Sequence, residues 1–171
     1  METLIIITIA AMIIALSSYV TYFFIRKTSS IDKKYQAERN RANRYFLWFT
    51  VFVRWIENER DGKKLEEYLL SRGYEDVAVY GAGVIYDLVY AALRDTDVNI
   101  LYAIDRTAFD GKKRTDKNGL PIITAHEIPE QEKVDAVIVT CIQDYAQILK
   151  LIRDVSADIE IVSLDTMIYS L

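Results

Sequence analysis

The distribution of hydrophobic and polar positions divides the chain into three parts. In the first part, residues 3–25 carry no charge, and twelve of them are Leu, Ile, Val or Phe. As a helix this run would extend roughly 34 Å, which is enough to cross a hydrocarbon core of about 30 Å. A cleaved signal peptide would have a basic start and a shorter apolar run, whereas here the residue after Met1 is the acidic Glu2 and the run is too long. The pattern therefore predicts a retained transmembrane helix at residues 1–25.

The second part, residues 26–60, predicts a long juxtamembrane helix. Ser29 or Ser30 is the expected N-cap, and the first half of the helix is basic. The second half, from Tyr45 to Ile56, is apolar on almost every face but is too short to span a bilayer. It therefore needs a partner, and three remain open: the domain that follows, the same helix of another subunit in a homo-oligomer, or the membrane surface.

The third part, residues 61–171, alternates short apolar runs with helical patterns. This alternation predicts α/β architecture, a small Rossmann-like parallel sheet of about five strands in the order 3-2-1-4-5. A polar loop is expected at 105–119. The expected strands are 77–80, 99–104, 120–124, 136–140 and 159–162. The expected helices are 63–72, which ends at Gly73 as its C-cap, 84–94, 144–153 and a terminal turn at 165–169.

Charge sets the expected orientation and excludes one class of partner. Arg26 and Lys27 follow the apolar run, whereas no Lys or Arg precedes it. The positive-inside rule then places the N-terminus outside and the C-terminal domain in the cytoplasm. The single cysteine, Cys141, fits a reducing compartment, and it cannot form a typical zinc site with the single histidine. A net charge of −4 gives no nucleic-acid-binding character.

A glycine turn after the first strand is the element with the most recognisable chemistry. Gly81, Ala82 and Gly83 match the start of a dinucleotide-binding fingerprint, in which glycines let the backbone approach a pyrophosphate at a helix N-terminus. The third position of the fingerprint, normally Gly or Ala, is Tyr86. Asp105 follows Gly83 by 22 residues, where an acid would accept a ribose hydroxyl. The alternative is a tight turn that the fold requires, without any ligand.

Two more residues are candidates for cofactor binding at the same edge. Arg106 follows Asp105, and Cys141 follows the fourth strand, at the end of the sheet where ligands bind such folds. No base is expected beside Cys141, so a small residue at the end of a strand is the preferred interpretation. His126, Asp144 and Tyr145 are expected to be surface, capping and packing residues. No catalytic residue and no metal ligand are predicted.

The order of several short segments resembles that of a known group of proteins. The segments are Tyr45-Phe46 with Trp55, GKKLEEYL at 62–69, Gly73-Tyr74, VAVYG at 77–81, YAID at 102–105, DAVIVT at 135–140 and IVSL at 161–164. In these the chain resembles uncharacterised bacterial Rossmann-like proteins, whose domains accompany glycosyltransferases and nucleotide-sugar enzymes of surface-polysaccharide biosynthesis. The resemblance implies a bacterial cell membrane as the location and a glycosyltransferase or another enzyme of that pathway as a partner.

Three functions remain open at this point. The preferred one is a single-pass, membrane-anchored module that binds a nucleotide, a nucleotide-sugar or a partner enzyme, without complete catalytic machinery. The second is an NAD(P)-dependent oxidoreductase of a sugar nucleotide. The missing Tyr-x-x-x-Lys pair and the missing substrate domain argue against it. The third is a ligand-free oligomerisation scaffold in the lipid bilayer, assembled through the helix from Tyr45 to Ile56.

Overall fold

The computed structural model of the chain describes residues 1–106, 108 and 114–171. It divides into two compact units, Met1–Trp48 and Phe49–Leu171. Part of the polar loop predicted at 105–119, namely residues 107 and 109–113, lies outside the described residues.

Helix α1 runs from Glu2 to Arg60 and supplies all of the first unit. Neither glycine nor proline occurs before Gly62, so no residue in this stretch interrupts the helical hydrogen bonds. The N-cap expected at Ser29 or Ser30 is therefore wrong, because a serine pair alone does not end a helix. Within the first unit, α1 has the length and the apolar composition that crossing a membrane requires.

The second unit contains a parallel sheet with helices on both faces. The strands are β1 (Asp76–Tyr80), β2 (Asn99–Ile104), β3 (Arg114–Thr115), β4 (Pro121–Ile123), β5 (Ala136–Val139) and β6 (Glu160–Ser163). The helices after α1 are α2 (Leu65–Leu70), α3 (Val84–Leu93), α4 (Tyr145–Val155) and α5 (Leu164–Ser170). Two 3₁₀ helices, Ala125–Glu130 and Ile142–Asp144, lie on either side of β5 along the chain.

The sheet order is β3-β4-β2-β1-β5-β6. Among the described strands, β3 alone is antiparallel to its neighbour, and the five parallel strands follow the predicted order 3-2-1-4-5, which is confirmed. The central strand β1 pairs on both sides: Val79 lies opposite Ala103 of β2 and Ile138 of β5. The two-residue strand β3 was not predicted, because it is too short to give a periodic pattern.

One face of the sheet packs against α4 and the first 3₁₀ helix. The buried side chains on this face include Tyr80, Tyr102, Val137, Ile148 and Ile152. Because successive side chains of a strand alternate, Val77 and Val79 of β1 point to the other face. There α3 contacts β2, and α2 contacts α3 and α5. From β1 the chain moves across the sheet to β2 on one side, whereas from β5 it moves to β6 in the opposite direction, so right-handed crossovers place α3 and α4 on opposite faces.

Within the second unit, the end of α1 packs against the rest of the unit through one side of the helix. Val51, Trp55 and Asn58 are buried, and the Asn58 side-chain amide donates a hydrogen bond of 2.6 Å to the Ile168 carbonyl of α5. This confirms, for one face of the helix, the first of the three partners expected for the apolar stretch.

Helix α2 ends at Leu70, two residues before the expected end at residue 72, and Gly73 forms the terminating turn as predicted. Gly73 has a φ of +74°, and the amides of Gly73 and Tyr74 donate to the carbonyls of Leu70 and Leu69, both at 3.0 Å. This pair of bonds is the Schellman motif, which satisfies carbonyls that the helix end would otherwise leave unpaired. The turn then leads the chain directly into β1.

Candidate functional site: the carboxyl edge of the sheet

The carboxyl ends of β1, β2 and β5 meet at one edge, and every candidate residue follows one of these strands. Gly81, Ala82 and Gly83 follow β1, Asp105 and Arg106 follow β2, and Cys141 comes two residues after β5. Sheet order changes direction between β1 and β5, and ligands of open α/β sheets bind at such a point. The topology therefore places the six residues around the position where a ligand is expected.

Gly81 is required by the fold itself. Its φ is +100°, and a Cβ at this position would lie 2.5 Å from Oγ1 of Thr140 and 2.9 Å from Sγ of Cys141. The Gly81 amide donates to the carbonyl of Ile104 at 2.7 Å, which fixes the turn against β2. The glycine is thus explained by backbone conformation and by close packing, without reference to a ligand.

Gly83 is in a different situation. Its φ of −101° and ψ of −161° are extended backbone that any residue adopts, and a Cβ here would have no neighbour within 4 Å. Gly83 is the N-cap of α3, and among the described residues no side-chain capping hydrogen bond is made at this position. Neither backbone strain nor packing accounts for the glycine. Open space therefore lies beside the uncapped N-terminus of a ten-residue helix.

Asp105 lies against the turn, as its spacing from Gly83 predicts. The Ala82 amide donates a hydrogen bond of 3.0 Å to Oδ2 of Asp105, and the Asp105 amide donates to the carbonyl of Ile123 at 2.8 Å. The carboxylate therefore helps to hold the turn, and one of the turn's amides is already paired. This contact is a structural role that sequence spacing alone does not reveal.

A small cavity of about 110 Å³ opens between this edge and the start of α4. Its lining residues are Tyr80, Arg106, Cys141, Asp144, Gln147, Ile148 and Leu151. Arg106 is exposed, and Cys141 is half-buried. The cavity thus combines one cation and one carboxylate with an apolar floor.

Electrostatics make the cavity a poor site for nucleophilic chemistry. Burial raises the pKa of the Cys141 thiol. A hydrogen bond from Thr140 acts in the opposite direction, the charges of Asp144 and Asp105 raise the pKa further, and Arg106 lowers it. Burial likewise raises the pKa of the Tyr80 phenol. Both groups are therefore protonated at neutral pH, whereas a nucleophilic cysteine needs a thiolate.

A family match covers this whole region. The family described as C2185-like, N-terminal, matches residues 73–162, which is more than half of the 171 residues of the chain. The chain belongs to this family. No curated protein matches the chain. The C2185-like segment begins at the Schellman turn of Gly73, ends within β6 and contains every candidate residue from Gly81 to Cys141.

Tyr86, the bulky residue in the third fingerprint position, belongs to the core of the C2185-like domain. Its side chain is 1% exposed, and its hydroxyl donates a hydrogen bond of 2.6 Å to Oδ2 of Asp116. Burial acts to raise the pKa of the Asp116 carboxyl. Hydrogen bonds from Tyr86, the Leu120 amide and Asn118 outweigh it and hold that pKa below its usual range. The ring therefore supports the turn before β4.

The structure adds residues that the sequence pattern does not single out. Tyr80 and Gln147 line the cavity, as does Asp144, which was expected to cap α4 but makes no capping hydrogen bond. Their only sequence signal is position, at the end of β1 and the start of α4. Tyr145 is a packing residue, as expected, and its hydroxyl donates to the Ile161 carbonyl at 2.9 Å. His126 is exposed on the first 3₁₀ helix and does not line this cavity.

The two glycines of the turn should respond oppositely to the same small substitution. Gly81→Ala should lower the free energy of unfolding by about 2–4 kcal/mol, since it adds an overpacked Cβ to a left-handed backbone. Gly83→Ala is the matched control and should change it by less than about 1 kcal/mol. Urea unfolding of the full-length protein in detergent micelles measures both. Equal losses would mean that Gly81 does not make the close approach described.

Proposed function

We propose that this C2185-like chain is a membrane-anchored binding module that holds a nucleotide or nucleotide-sugar at the turn of residues 81–83. The observation that carries the proposal is Gly83, a glycine that neither backbone angles nor packing requires. A ligand that approaches the backbone closely does require it, since any side chain at this position would occupy the ligand's space.

The N-terminus of α3 supplies the chemistry for a phosphate. The first-turn amides of a helix have no intrahelical acceptor, and the helix dipole adds partial positive charge at the same end. The N-cap Gly83 has no side chain to cap this end of α3, which leaves the first turn available to an anionic ligand. The exposed cation of Arg106 at the same edge would add to the attraction.

Asp105 would serve the sugar part of the ligand. A carboxylate has several acceptor positions, so the bond from Ala82 at 3.0 Å is compatible with a second bond from a ribose hydroxyl. The same negative charge repels phosphate, which favours placing the phosphate over Gly83 and α3.

The proposal includes no catalytic step. Proton transfer near neutral pH needs a group whose pKa lies in that range, whereas the pKa values of Cys141 and Tyr80 are raised. The alternative of an NAD(P)-dependent sugar-nucleotide oxidoreductase would need an acid or base from elsewhere. Turnover of a sugar nucleotide with NAD(P) would support that alternative.

Equilibrium binding tests the proposed ligand site. The full-length protein in lipid nanodiscs should bind NAD or a UDP-sugar saturably by calorimetric titration. Gly83→Val should weaken that binding at least tenfold, because the branched side chain fills the open space at the helix N-terminus. Ala91→Val places the same side chain on the exposed face of α3 two turns later and should leave affinity within twofold.

Two results would contradict the binding proposal. One is a folded protein that binds neither NAD nor UDP-sugars nor coenzyme A. The other is equal weakening by Gly83→Val and Ala91→Val, which would point to a general effect on the helix.

The setting of the module rests on the resemblance noted above. Bacterial surface-polysaccharide assembly uses nucleotide-sugars at a membrane, so an anchored nucleotide-sugar module beside a glycosyltransferase would fit there. In this proposal the helix at residues 3–25 holds the module in the cell membrane, with the N-terminus outside and the second unit in the cytoplasm.

Single-cysteine labelling tests this orientation. In a Cys141→Ser background, Glu2→Cys, which precedes the apolar run, should react with a membrane-impermeant maleimide in intact bacterial spheroplasts. Glu130→Cys, in an exposed position of the second unit, should react only after lysis. The reverse pattern would place the second unit outside.

A second candidate function, oligomerisation, is favoured by the uncovered face of α1 in the second unit. Phe49, Val53 and Ile56 are 64%, 40% and 69% exposed. They stand four and three residues apart, which is the spacing of a coiled-coil seam, and Phe46 continues this spacing in the sequence. Val51 and Trp55 on the opposite side already pack against the domain. The spacing therefore favours another α helix, from a second copy of the chain, as the partner.

Mass measurement of the full-length protein in detergent micelles tests the seam. Wild type should be a dimer, and Ile56→Glu should lower its dimerisation affinity at least tenfold because a buried unpaired charge is costly. Lys150→Glu introduces the same residue at an exposed position of α4, away from the seam, and should leave the dimer intact. A monomeric wild-type protein would contradict the proposed role of the seam in oligomerisation.

A further inference from the structure

A second cavity lies on the α4 face of the sheet, near the amino ends of β5 and β6. Loop residues before these two strands line it, together with Tyr102 of β2. The full lining is Tyr102, Ile128, Pro129, Gln131, Glu132, Lys133, Val134, Ser156, Asp158 and Ile159. Its volume is about 250 Å³, which exceeds the space of a single buried water. We refer to it as the Tyr102 cavity.

The Tyr102 hydroxyl is the unusual feature of this cavity. The residue is 2% exposed, and the hydroxyl oxygen is buried without a hydrogen-bond partner among the described residues. Buried polar groups in folded proteins are almost always paired, because an unpaired one costs its full desolvation energy. A tyrosine at a position with no partner is therefore unexpected unless a ligand supplies one.

The Tyr102 side chain lies on the same side of the sheet as the cavity and is one of its lining residues. Tyr102 belongs to the same buried cluster as Ile128 and Val134, so its ring lies on the α4 face where the cavity is. Side chains stand roughly perpendicular to a sheet, and the hydroxyl is the atom of the ring farthest from the strand.

The lining restricts the chemistry of an occupant. Ile128 and Val134 are buried apolar walls, whereas the charged side chains of Glu132, Lys133 and Asp158 are exposed at the mouth. Burial raises the pKa of the Tyr102 phenol to about 12, so at neutral pH the hydroxyl is protonated and can donate. An ion buried against such walls would lose its hydration without a charged partner.

We propose that the Tyr102 cavity binds a small uncharged molecule through a carbonyl-type oxygen that accepts a hydrogen bond from the Tyr102 hydroxyl. The rest of the molecule lies against Ile128 and Val134, and its outer end meets the charged mouth. This site is separate from the nucleotide site proposed at the carboxyl edge, since neither the turn of residues 81–83 nor Asp105 or Arg106 lines the Tyr102 cavity.

Binding of two matched probes tests the site in the full-length protein in lipid nanodiscs. Benzamide has a carbonyl acceptor on an apolar ring, and toluene has a ring of the same size without an acceptor. Methyl NMR signals of Ile128, Val134 and Ile159 report on the cavity directly. Benzamide should shift them saturably, and Tyr102→Phe should weaken its affinity about fivefold, as expected for one lost hydrogen bond. Toluene should bind wild type and Tyr102→Phe within twofold of each other.

Tyr169→Phe is the control for the substitution itself. It removes a hydroxyl from an exposed tyrosine of α5 and should leave benzamide affinity unchanged. Unchanged benzamide affinity in a folded Tyr102→Phe would overturn the proposal. So would the absence of any saturable shift with benzamide, which would identify the cavity as a solvent-filled space only. Neither result depends on nucleotide binding at Gly83, so the two proposals fail separately.

Discussion

The close approach of Gly81 to Thr140 is the constraint on which the carboxyl edge of the sheet depends. The Thr140 amide and hydroxyl both donate to the Tyr80 carbonyl, at 3.0 and 2.9 Å, and the Gly81 amide donates to Ile104 on the opposite side. The end of β1 is thus held between β2 and β5, in a space where a Cβ on Gly81 would lie 2.5 Å from Oγ1 of Thr140. This junction fixes where the following turn and α3 begin.

The junction separates two roles that one glycine motif combines. The fold requires a glycine at position 81, because the backbone conformation and the close packing there allow no other residue at low cost. Gly83 contributes nothing comparable to the fold, and the helix after it starts without a cap. Of the two glycines of the motif, Gly83 is therefore the better indicator of a bound ligand, and Gly81 the poorer one. The bond from Ala82 to Asp105 shows in addition that the expected ribose acceptor also supports the turn.

Local patterns were sufficient to predict the five parallel strands and their order. The runs Val77–Tyr80 and Ala136–Val139 are apolar without interruption because a central parallel strand is buried on both faces. The continuous helix through Ser30 and the short strand β3 were missed, since a serine pair and two residues give no decisive signal. Contacts between distant residues were also beyond the sequence. Tyr86 meets Asp116 across 30 residues, and only the folded chain shows that its ring supports a turn.

Helix α4 borders both cavities, and this determines which residues can be substituted to affect one cavity without the other. Gln147, Ile148 and Leu151 line the cavity at the carboxyl edge, whereas Ser156, directly after the helix, lines the Tyr102 cavity. Ile148 and Ile152 join the core cluster that also contains Tyr80 and Tyr102. A change in the core face of α4 would therefore disturb both cavities together, because packed interiors transmit displacement. Gly83 precedes α3 and Tyr102 belongs to β2, so both lie outside α4 and each reports on one site alone.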